Sequence, residues 1–440
     1  MTPEVRRQLV HILVGTGALL LPWLTWWQAA LVAVAGLLFN VLVLPRIAPS
    51  VFRPGDLAVP VRSGIVIYPL AVLALLVCFP KRLDIAAAAW GILAAGDGMA
   101  TLVGAHVRTS PLPWNRAKSV GGLAAFIVFG WLAGSALAAW TAGAETRLWW
   151  ILIAPALAAV VAGFIETAPI RLNDNISVPA SAALVLWSLS FVSEDVARSS
   201  IAIWAARLIP AVILNVAVSA AGYAARTVTI PGAIAGAAIG AGVYLGTDWQ
   251  GWVMLFASFL AAAITTRLGY RRKAFAGIAE ERGGRRGPGN AIANTGLAAW
   301  AALLCLGVPH SDLAKLAIVA ALVTSASDSV ASEVGKAWGK TTWLVVGWRR
   351  VRPGTSGAVS VEGTVAGLVA AVALSMLGYA LQLIPASSIA PVAVAATIAS
   401  LVEGALGATL EGRGTLNNDA LNFINSAIGA GLAVAWVVHL

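Results

Sequence analysis

The sequence predicts an all-α polytopic integral membrane protein. Of its 440 residues, 59% are hydrophobic and 11% are charged, and the mean hydropathy is +0.86. Water-soluble globular domains have a far more polar composition. Apolar stretches of roughly 17 to 25 residues, each long enough to cross a hydrocarbon layer as a helix, recur along the whole chain. We therefore expect the apolar surface to face lipid.

We predict about fifteen transmembrane helices. The first follows Arg6 and Arg7, but no small-residue cleavage site comes after it, so we expect it to be retained rather than removed as a signal peptide. The predicted spans have the approximate bounds 5–21, 23–43, 63–79, 84–105, 119–140, 147–167, 177–192, 199–221, 230–246, 251–267, 290–308, 313–334, 358–379, 387–408 and 420–438.

The distribution of positive charge predicts the orientation in the membrane. With the N-terminus in the cytoplasm, 23 of the 29 Lys and Arg residues fall on the cytoplasmic side, as expected of a multi-pass protein. The six exceptions are Lys81, Arg82, Arg147, Arg198, Arg207 and Lys315. The excess of Lys and Arg on the cytoplasmic side and the binding of anionic ligands account for the net charge of +10, so no nucleic-acid partner is implied. We expect a cell-membrane protein with its active sites facing the cytoplasm.

A short polar segment from Val192 to Ser200 divides the spans into two groups, which we treat as domains 1–196 and 197–440. Both groups carry the same succession of polar motifs at span ends. The first copy consists of Asp97-x-x-Ala100, Ser119-x-Gly121-Gly122, Glu166 and Asn173-Asp174-Asn175, and the second of Asp328-x-x-Ala331, Ser360-x-Glu362-Gly363, Glu403 and Asn417-Asn418-Asp419. We therefore predict two diverged repeats in parallel orientation.

Charged residues gather at the predicted cytoplasmic ends of the spans. A single carboxylate there could simply face lipid headgroups, but carboxylates in membrane segments are costly and are usually kept for function. The acidic residues are Asp97, Glu166, Asp328, Glu333, Glu362 and Glu403, and the basic ones are Arg116, Lys118, Arg267, Lys273, Arg285 and Lys336. The set as a whole indicates a functional site in each half.

The segment 96–122 has the chemistry to bind a metal-chelated polyphosphate. Asp97 can hold Mg²⁺, and Gly96 and Gly98 allow close approach of the backbone. The cationic loop residues Arg108, Arg116 and Lys118 and the helix start at Ser119 would offset phosphate charge. No GxxxxGK[ST] loop and no protein-kinase motif occurs in the chain.

Residues 90–185 resemble the CTP-dependent polyprenol kinases, the phytol and dolichol kinase family. The resemblance rests on the GDGMA element at 96–100, Lys118-Ser119 with Gly122, Glu166 with Pro169, and the Asn173-Asp174-Asn175 triplet. Many relatives have Glu at the position of Gly121, and its absence is similar to the phytol-kinase branch. The resemblance implies a CTP- and Mg²⁺-dependent kinase acting on an isoprenoid alcohol.

Residues 222–435 resemble a second membrane family, the phytyl phosphate kinases. Six blocks carry this resemblance: RTVTIPGAIAG, TRLGYRRKAFAG, GGRRGPGNAIANTG, SDSVASEVGK, RPGTSGAVSVEGTVAG and EGALGATLEGRGTLNNDALNFINSAIGA. Together the two resemblances imply a bifunctional fusion. The first half would convert an isoprenoid alcohol of the phytol, geranylgeraniol or farnesol type to its monophosphate, and the second half would make the diphosphate.

The resemblances and the residue chemistry together assign the candidate site residues. In the first site, Asp97 and Lys118 would hold nucleotide and metal, and Glu166, Asp174 and Asn175 would surround the reacting hydroxyl or the metal. In the second, catalytic roles fall to Asp328, Glu333, Lys336 and Asp419, and nucleotide or phosphate contacts to Arg285, Asn290, Asn294, Thr355, Ser356, Glu362, Asn418 and Asn422. The predicted metal ligands are Asp97, Asp174, Asp328 and Glu333.

Two other functions fit parts of the pattern. A secondary transporter also has many spans, internal repeats and intramembrane carboxylates, although transporters usually bind their substrate near the midplane and often have inverted repeats. A membrane cytidylyltransferase would also use CTP but would release pyrophosphate. Product analysis distinguishes these alternatives from a kinase.

Overall fold

The computed structural model describes residues 3–48, 64–107, 109–143, 147–169, 172–412 and 414–439. The chain forms two compact units, Met1–Phe191 and Val192–Leu440. The junction lies within the polar segment that the sequence analysis used to divide the chain. Each unit is built almost entirely of α-helices, so the described chain has the architecture of a multi-pass α-helical membrane protein.

In the first unit, α-helices account for most of the described residues. They are α1 (Pro3–Gly15), α2 (Trp26–Leu38), α3 (Leu44–Ile47), α4 (Gly64–Cys78), α5 (Leu83–Gly91), α6 (Gly98–His106), α7 (Val120–Thr141), α8 (Leu148–Thr167) and α9 (Asp174–Leu189). A 3₁₀ segment, Thr16–Trp23, follows α1. Two π-helical segments, Phe39–Val43 and Ile92–Asp97, connect α2 to α3 and α5 to α6. The second of these places Asp97 where the helix changes its winding, and such π segments are frequent at functional sites.

The second unit has longer helices and a small sheet. Its helices are α10 (Glu194–Ser199), α11 (Ile201–Ala224), α12 (Ile230–Arg267), α13 (Tyr270–Phe275), α14 (Glu281–Gly284), α15 (Pro288–Leu304), α16 (Asp312–Trp338), α17 (Val361–Ala380), α18 (Ile389–Leu406) and α19 (Asn418–His439). A 3₁₀ turn, Ala386–Ser388, precedes α18, and a π segment, Gly407–Glu411, follows it.

Ten helices in the described part of the chain are long and apolar enough to cross a membrane. They are Trp26–Ile47, Leu83–His106, Val120–Thr141, Leu148–Thr167, Ile201–Ala224, Ile230–Arg267, Asp312–Trp338, Val361–Ala380, Ala386–Glu411 and Asn418–His439. Each of the fifteen predicted spans overlaps a helix, but four fall on the shorter helices α1, α4, α9 and α15. The count of fifteen therefore stays a prediction, whereas the polytopic helical class is confirmed.

Two predicted spans, 230–246 and 251–267, lie within the 38 residues of α12. The helix is interrupted at Asp248, whose backbone has φ 61° and ψ −158°. Arg207 secures the interruption, because its guanidinium forms an ion pair with Asp248 at 3.0 Å and donates a hydrogen bond to the Leu245 carbonyl oxygen at 3.1 Å. The break explains why the sequence pattern predicts two spans at this place.

The sequence analysis missed a three-stranded antiparallel sheet between α16 and α17. Its strands are β1 (Thr342–Leu344), β2 (Arg350–Val351) and β3 (Ala358–Ser360), in the order β2-β1-β3. The turn between β1 and β2 contains Gly347 and Trp348, both with positive φ. Strands of two or three residues are too short to produce an alternating apolar pattern, so the sequence gives little sign of them.

The two most buried spans carry Asp97 and Asp328. Leu83–His106 contains Asp97 and Asp312–Trp338 contains Asp328, and each is 67% buried over its most apolar window, more than any other span. In the second unit, every residue from Ile318 to Val323 is fully buried. Each of these helices therefore forms the centre of its unit, and its aspartate lies on an element held by packing along its length.

Small residues bring the central helix of each unit close to the helix that follows it. In the first unit, a Cβ added to Gly122 of α7 would lie 3.2 Å from the Ala100 carbonyl oxygen. In the second, a Cβ added to Gly363 of α17 would lie 2.5 Å from the Ala331 carbonyl oxygen. Both helices begin at a serine, Ser119 or Ser360, whose hydroxyl accepts a hydrogen bond from the amide of that glycine at 3.1 Å.

The close approach at Gly363 predicts a specific stability loss. Gly363→Ala should lower the free energy of unfolding by about 1–3 kcal/mol, because α16 and α17 must move apart to admit the methyl group. Gly431→Ala on α19 is the matched control, since nothing lies within 4 Å of its added Cβ. Thermal unfolding of both variants in detergent checks this, and equal midpoints would contradict the packing described.

Candidate functional site

Three carboxylates converge in the first unit although they are far apart in the sequence. Oxygen atoms of Asp97, Glu166 and Asp174 all lie within 4.8 Å of one another. Asp97 ends the π segment before α6, Glu166 is in the last turn of α8, and Asp174 is the first residue of α9. The convergence agrees with the sequence prediction that these three residues share one site.

Lys118 provides positive charge to this cluster. Its ammonium forms an ion pair with Glu166 and lies 3.6 Å from the nearer carboxylate oxygen of Asp174. Burial alone would lower the pKa of the Lys118 ammonium, but Glu166 and Asp174 outweigh it and raise the pKa above its ordinary value. Lys118 is therefore charged throughout the physiological pH range.

The loop before α7 is fixed so that Lys118 reaches the carboxylates. Trp114 donates a hydrogen bond to the Thr167 hydroxyl at 3.2 Å, and Asn115 donates one to the Thr167 carbonyl oxygen at 3.1 Å. These bonds tie the loop to the end of α8, one residue after Glu166. On α9, Asn175 donates to the Gly64 carbonyl oxygen at 3.1 Å, which anchors the helix start that carries Asp174.

His11 belongs to the cluster, although the sequence analysis did not include it among the candidate residues. Its Nε2 lies 3.5 Å from Oδ2 of Asp97 and 3.4 Å from the Leu93 carbonyl oxygen. Its ring packs edge-on against Tyr68, whose hydroxyl accepts a hydrogen bond from Trp90 at 2.8 Å. The spacing of Arg7 and His11 on one face of an apolar helix is the signal that could have drawn attention to it.

The other predicted residues of the first site have varied surroundings. A Cβ added to Gly96 would contact Phe126, and a Cβ added to Gly98 would contact Ile12, so both glycines permit close packing. Ser119 caps α7, and Arg116 is exposed. Arg108 lies outside the described residues. The nucleotide contacts predicted for these five residues stay predictions.

The donor set of the first site suits a hard divalent cation. Three carboxylates carry three negative charges, and Lys118 neutralises one of them. Two negative charges remain, which a divalent cation would balance. Carboxylate oxygens are the ligands that Mg²⁺ prefers in proteins. In the described part of the chain, this is the one group of three or more acidic, histidine or cysteine ligands that meets this spacing.

In the second unit, Asp328 contacts Glu403, whereas the sequence analysis predicted that it would share a metal with Glu333. Its side chain forms hydrogen bonds with Glu403 and Ser400. A hydrogen bond between two carboxyl groups requires a proton on one of them. The pairing of Asp328 with Glu403 corresponds to the proximity of Asp97 and Glu166, but Val359 occupies the place of Lys118 in the aligned motif.

Glu333 is part of a separate cluster of charges. It is buried and forms ion pairs with the fully buried Lys273 and, at 3.2 Å, with Lys336. Lys273 also donates to the Thr266 carbonyl oxygen at 2.9 Å, and Lys336 forms an ion pair with Glu280 at 3.0 Å. Asp328 and Glu333, which the sequence analysis paired as metal ligands, thus have different partners on the same helix, and their metal role stays a prediction.

The predicted phosphate-binding residues of α15 lie near Arg286 rather than near Arg285. Arg286 donates to Oδ1 of Asn290 at 3.4 Å, whereas Arg285 is exposed. Burial lowers the pKa of the Arg286 guanidinium, against the opposite effect of Glu280 and Glu333. The sequence analysis chose the first of two adjacent arginines, and only the fold distinguishes them.

Several remaining candidates already have partners or face outward. The buried Asn294 accepts a hydrogen bond from Ser325 at 2.7 Å, and Ser356 donates one to Glu411. Asp419 approaches Gly289 at the start of α15 so closely that an added Cβ would lie 2.2 Å from its Oδ2. Thr355 and Asn418 are exposed, and Glu362 and Asn422 are half-buried. Their roles in nucleotide or phosphate binding stay predictions.

Comparison with known proteins assigns the chain to a family. A family model described as "Integral membrane protein DUF92" matches residues 213–430 of the chain. An uncharacterized membrane protein of Synechocystis sp. is 41% identical over 44% of this chain and 77% of its own length. The chain belongs to the DUF92 family of integral membrane proteins. No solved structure matches it.

Two plant relatives of this DUF92 chain have more informative names. Protein VTE6, chloroplastic, of Arabidopsis thaliana is 37% identical over 44% of the chain and 63% of its own length. Phytol kinase 1, chloroplastic, of the same plant is 30% identical over 43% of the chain and 67% of its own length. The DUF92 chain is thus similar to a protein named phytol kinase.

The carboxylate cluster of the DUF92 chain predicts divalent-cation binding. Asp97→Asn should weaken Mn²⁺ or Mg²⁺ affinity by about tenfold or more, because it removes a charged ligand from the group. Asp195→Asn, which removes an exposed carboxylate of α10, should leave the affinity unchanged. Titration of purified protein with Mn²⁺, followed by electron paramagnetic resonance, measures the effect; equal affinities in the two variants would refute the metal site.

The Glu280–Lys336 pair predicts a pH-dependent contribution to stability. Burial would raise the pKa of the Glu280 carboxyl, but Lys336, with Arg286 and Lys273, outweighs it and lowers the pKa. The ionised form therefore stabilises the fold above the ordinary carboxyl pKa, and this stabilisation is lost as the pH falls through the lowered value. Glu280→Gln should reduce the unfolding midpoint near neutral pH and not in strong acid.

The matched control for this pH effect is Asp312→Asn, which alters a highly exposed carboxylate. It should change the unfolding midpoint little at either pH, because exposed ion pairs contribute little. A difference between wild type and Glu280→Gln that stays constant down to strong acid would contradict an electrostatic role for Glu280.

Proposed function

We propose that this protein is a bifunctional membrane isoprenoid kinase. The first unit would phosphorylate an isoprenoid alcohol, and the second would phosphorylate the resulting monophosphate, with CTP as donor and Mg²⁺ as cofactor. The observation that carries the proposal is the convergence of Asp97, Glu166 and Asp174 with Lys118 at the ends of separate helices. The relatives named phytol kinase support the substrate class.

Within the first site, exposure separates the roles of the carboxylates. The Glu166 side chain is 4% exposed and paired with Lys118, whereas the Asp174 side chain is 36% exposed. Asp174 is therefore the more accessible base for a hydroxyl that arrives from outside the cluster. Lys118 lies beside both and would stabilise negative charge on the transferred phosphoryl group.

The proposed first reaction is a direct displacement. The alcohol oxygen attacks the terminal phosphorus of the nucleotide, the bond from that phosphorus to the bridging oxygen breaks, and the nucleoside diphosphate leaves. Asp174 accepts the hydroxyl proton. Mg²⁺ held by Asp97 and Asp174 would supply charge neutralisation for the nucleotide phosphates.

The second reaction places different demands on its site. A phosphate acceptor is already ionised, so no base is needed, but two anions must be held together. The side chains of Lys273, Lys336 and Arg286 supply positive charge in the described part of the second unit. The corresponding capped glycines and carboxylate pairs of the two units support descent from one ancestral unit. We further propose that both sites face the cytoplasm, where CTP is available.

Product analysis tests the proposed activities. Purified protein with CTP, Mg²⁺ and a panel of isoprenols should yield mono- and diphosphates identifiable by mass. Release of pyrophosphate with a cytidylylated lipid would instead identify a cytidylyltransferase. Transport into liposomes without chemical change of the isoprenol would identify a transporter.

Single substitutions test whether the two sites are independent. Asp97→Ala should abolish phosphorylation of the alcohol and leave phosphorylation of an added monophosphate, and Asp328→Ala should do the reverse. Asp195→Ala should affect neither reaction, because this carboxylate is exposed on α10. Loss of both reactions in one variant that still folds, judged by its unfolding midpoint, would argue against two independent sites.

A further inference from the structure

A cavity in the second unit adjoins Arg286, one of the cations proposed above for the second reaction. It lies among α11, α12, α15 and α16, has a volume of about 130 Å³ and is partly open to its surroundings. An apolar cavity of roughly 150 Å³ can hold a benzene molecule. The cavity is therefore large enough for a segment of a hydrocarbon chain, and a longer chain can continue through its open side.

The wall of the cavity is mostly apolar. Trp252, Leu255, Phe256 and Phe259 line it from the second half of α12. The first half contributes three glycines at intervals of four residues, Gly232, Gly236 and Gly240. At Gly236 an added Cβ would meet nothing within 4 Å, whereas at Gly232 it would lie 2.4 Å from the Arg286 carbonyl oxygen and at Gly240 1.9 Å from the side-chain oxygen of Asn215. The open part of this glycine strip is therefore at Gly236. Such a wall suits a flexible hydrocarbon chain.

One end of the cavity is polar and carries a single described cation. Arg286, Asn290, Asn294 and Ser325 line this end. The guanidinium of Arg286 lies 5.9 Å from the centre of the Phe259 ring and donates to Asn290 at 3.4 Å. Among the described side chains, it forms no ion pair within 4.0 Å.

The backbone holds Arg286 in place. Its amide donates to the Thr227 carbonyl oxygen at 2.9 Å, and its own carbonyl oxygen accepts from the Thr229 amide at 3.0 Å. These two bonds join the loop before α15 to the loop before α12 as a parallel bridge. A fixed cation that forms no ion pair within 4.0 Å among the described side chains, at the end of an apolar cavity, is complementary to the anionic headgroup of a single-chain lipid.

We propose that this cavity, the Arg286 cavity, binds an isoprenyl monophosphate with its chain along the glycine strip and its phosphate at Arg286. The inference rests on the proposed function, because it assigns the acceptor site of the second kinase reaction. Glu280 and Glu333 lie near enough to influence Arg286, so the phosphate would adjoin the cluster that contains Lys273 and Lys336. The charged end would select the monophosphate over the alcohol.

Binding measurements without nucleotide test the site. The probes are geranylgeranyl monophosphate and geranylgeraniol, titrated against the full chain in lipid nanodiscs by calorimetry. Gly236→Leu places a side chain at the open part of the strip, where an added Cβ meets nothing within 4 Å, and should weaken monophosphate binding about tenfold or more. Gly431→Leu is its control, because it also adds a side chain to open space on an exposed helix position outside the cavity.

A second pair of variants tests the headgroup contact. Arg286→Gln should weaken monophosphate binding by about 10- to 100-fold, the usual effect of losing a charge-assisted hydrogen bond, and should leave the weaker binding of the alcohol unchanged. Arg272→Gln, which removes an exposed cation of α13, should change neither affinity. Inorganic phosphate alone should compete poorly, since it lacks the chain.

The outcomes separate this inference from the proposed function. If Gly236→Leu and Arg286→Gln bind the monophosphate as their controls do, the inference is overturned even where diphosphate forms. If the variants behave as expected but no diphosphate forms with CTP and Mg²⁺, the kinase assignment fails and the cavity remains a lipid-phosphate site. Equal affinity of the wild type for alcohol and monophosphate would overturn the assignment of Arg286.

Discussion

The arrangement of both units depends on the cost of placing carboxylates within an apolar helical bundle. An ionised carboxyl group without a partner is strongly disfavoured in such surroundings. In the first unit, Lys118 compensates Glu166 and approaches Asp174, and the loop that carries it is bonded to the end of α8. The positions of three helix ends, which carry Asp97, Glu166 and Asp174, and of one loop are therefore linked to a single electrostatic requirement.

The second unit meets the same requirement in another way. Asp328 is hydrogen-bonded to Glu403, whereas Glu166 is paired with a lysine in the first unit. The lysines of the second unit's cluster pair with Glu333. One local feature occurs in both units, because Ser119 caps α7 and Ser360 caps α17 by accepting a hydrogen bond from the amide of a glycine three residues later. Different charge placement is what the two proposed reactions on differently charged acceptors would require.

Sequence reasoning located the helices and most of the first cluster, because the length of an apolar segment and the polar residues at its ends can both be read directly from the sequence. Asp97, Lys118, Glu166 and Asp174 were predicted together, and they lie together. His11 was missed because its spacing from Arg7 is a weak signal beside the longer motifs that carry Asp97, Glu166 and Asp174. The partner of Asp328, the choice between Arg285 and Arg286, and the short strands depend on contacts between distant segments, which one sequence does not specify.

The ion pair at the break in α12 bears on how the chain enters the membrane. An unbroken helix of 38 residues would be about 57 Å long, nearly twice the thickness of a hydrocarbon layer. Arg207 is one of the few cations that the charge rule places off the cytoplasmic side, yet it neutralises Asp248 and binds the Leu245 carbonyl oxygen three residues before the break. A charge that contradicts the orientation signal is therefore tolerated, because it is paired with a carboxylate.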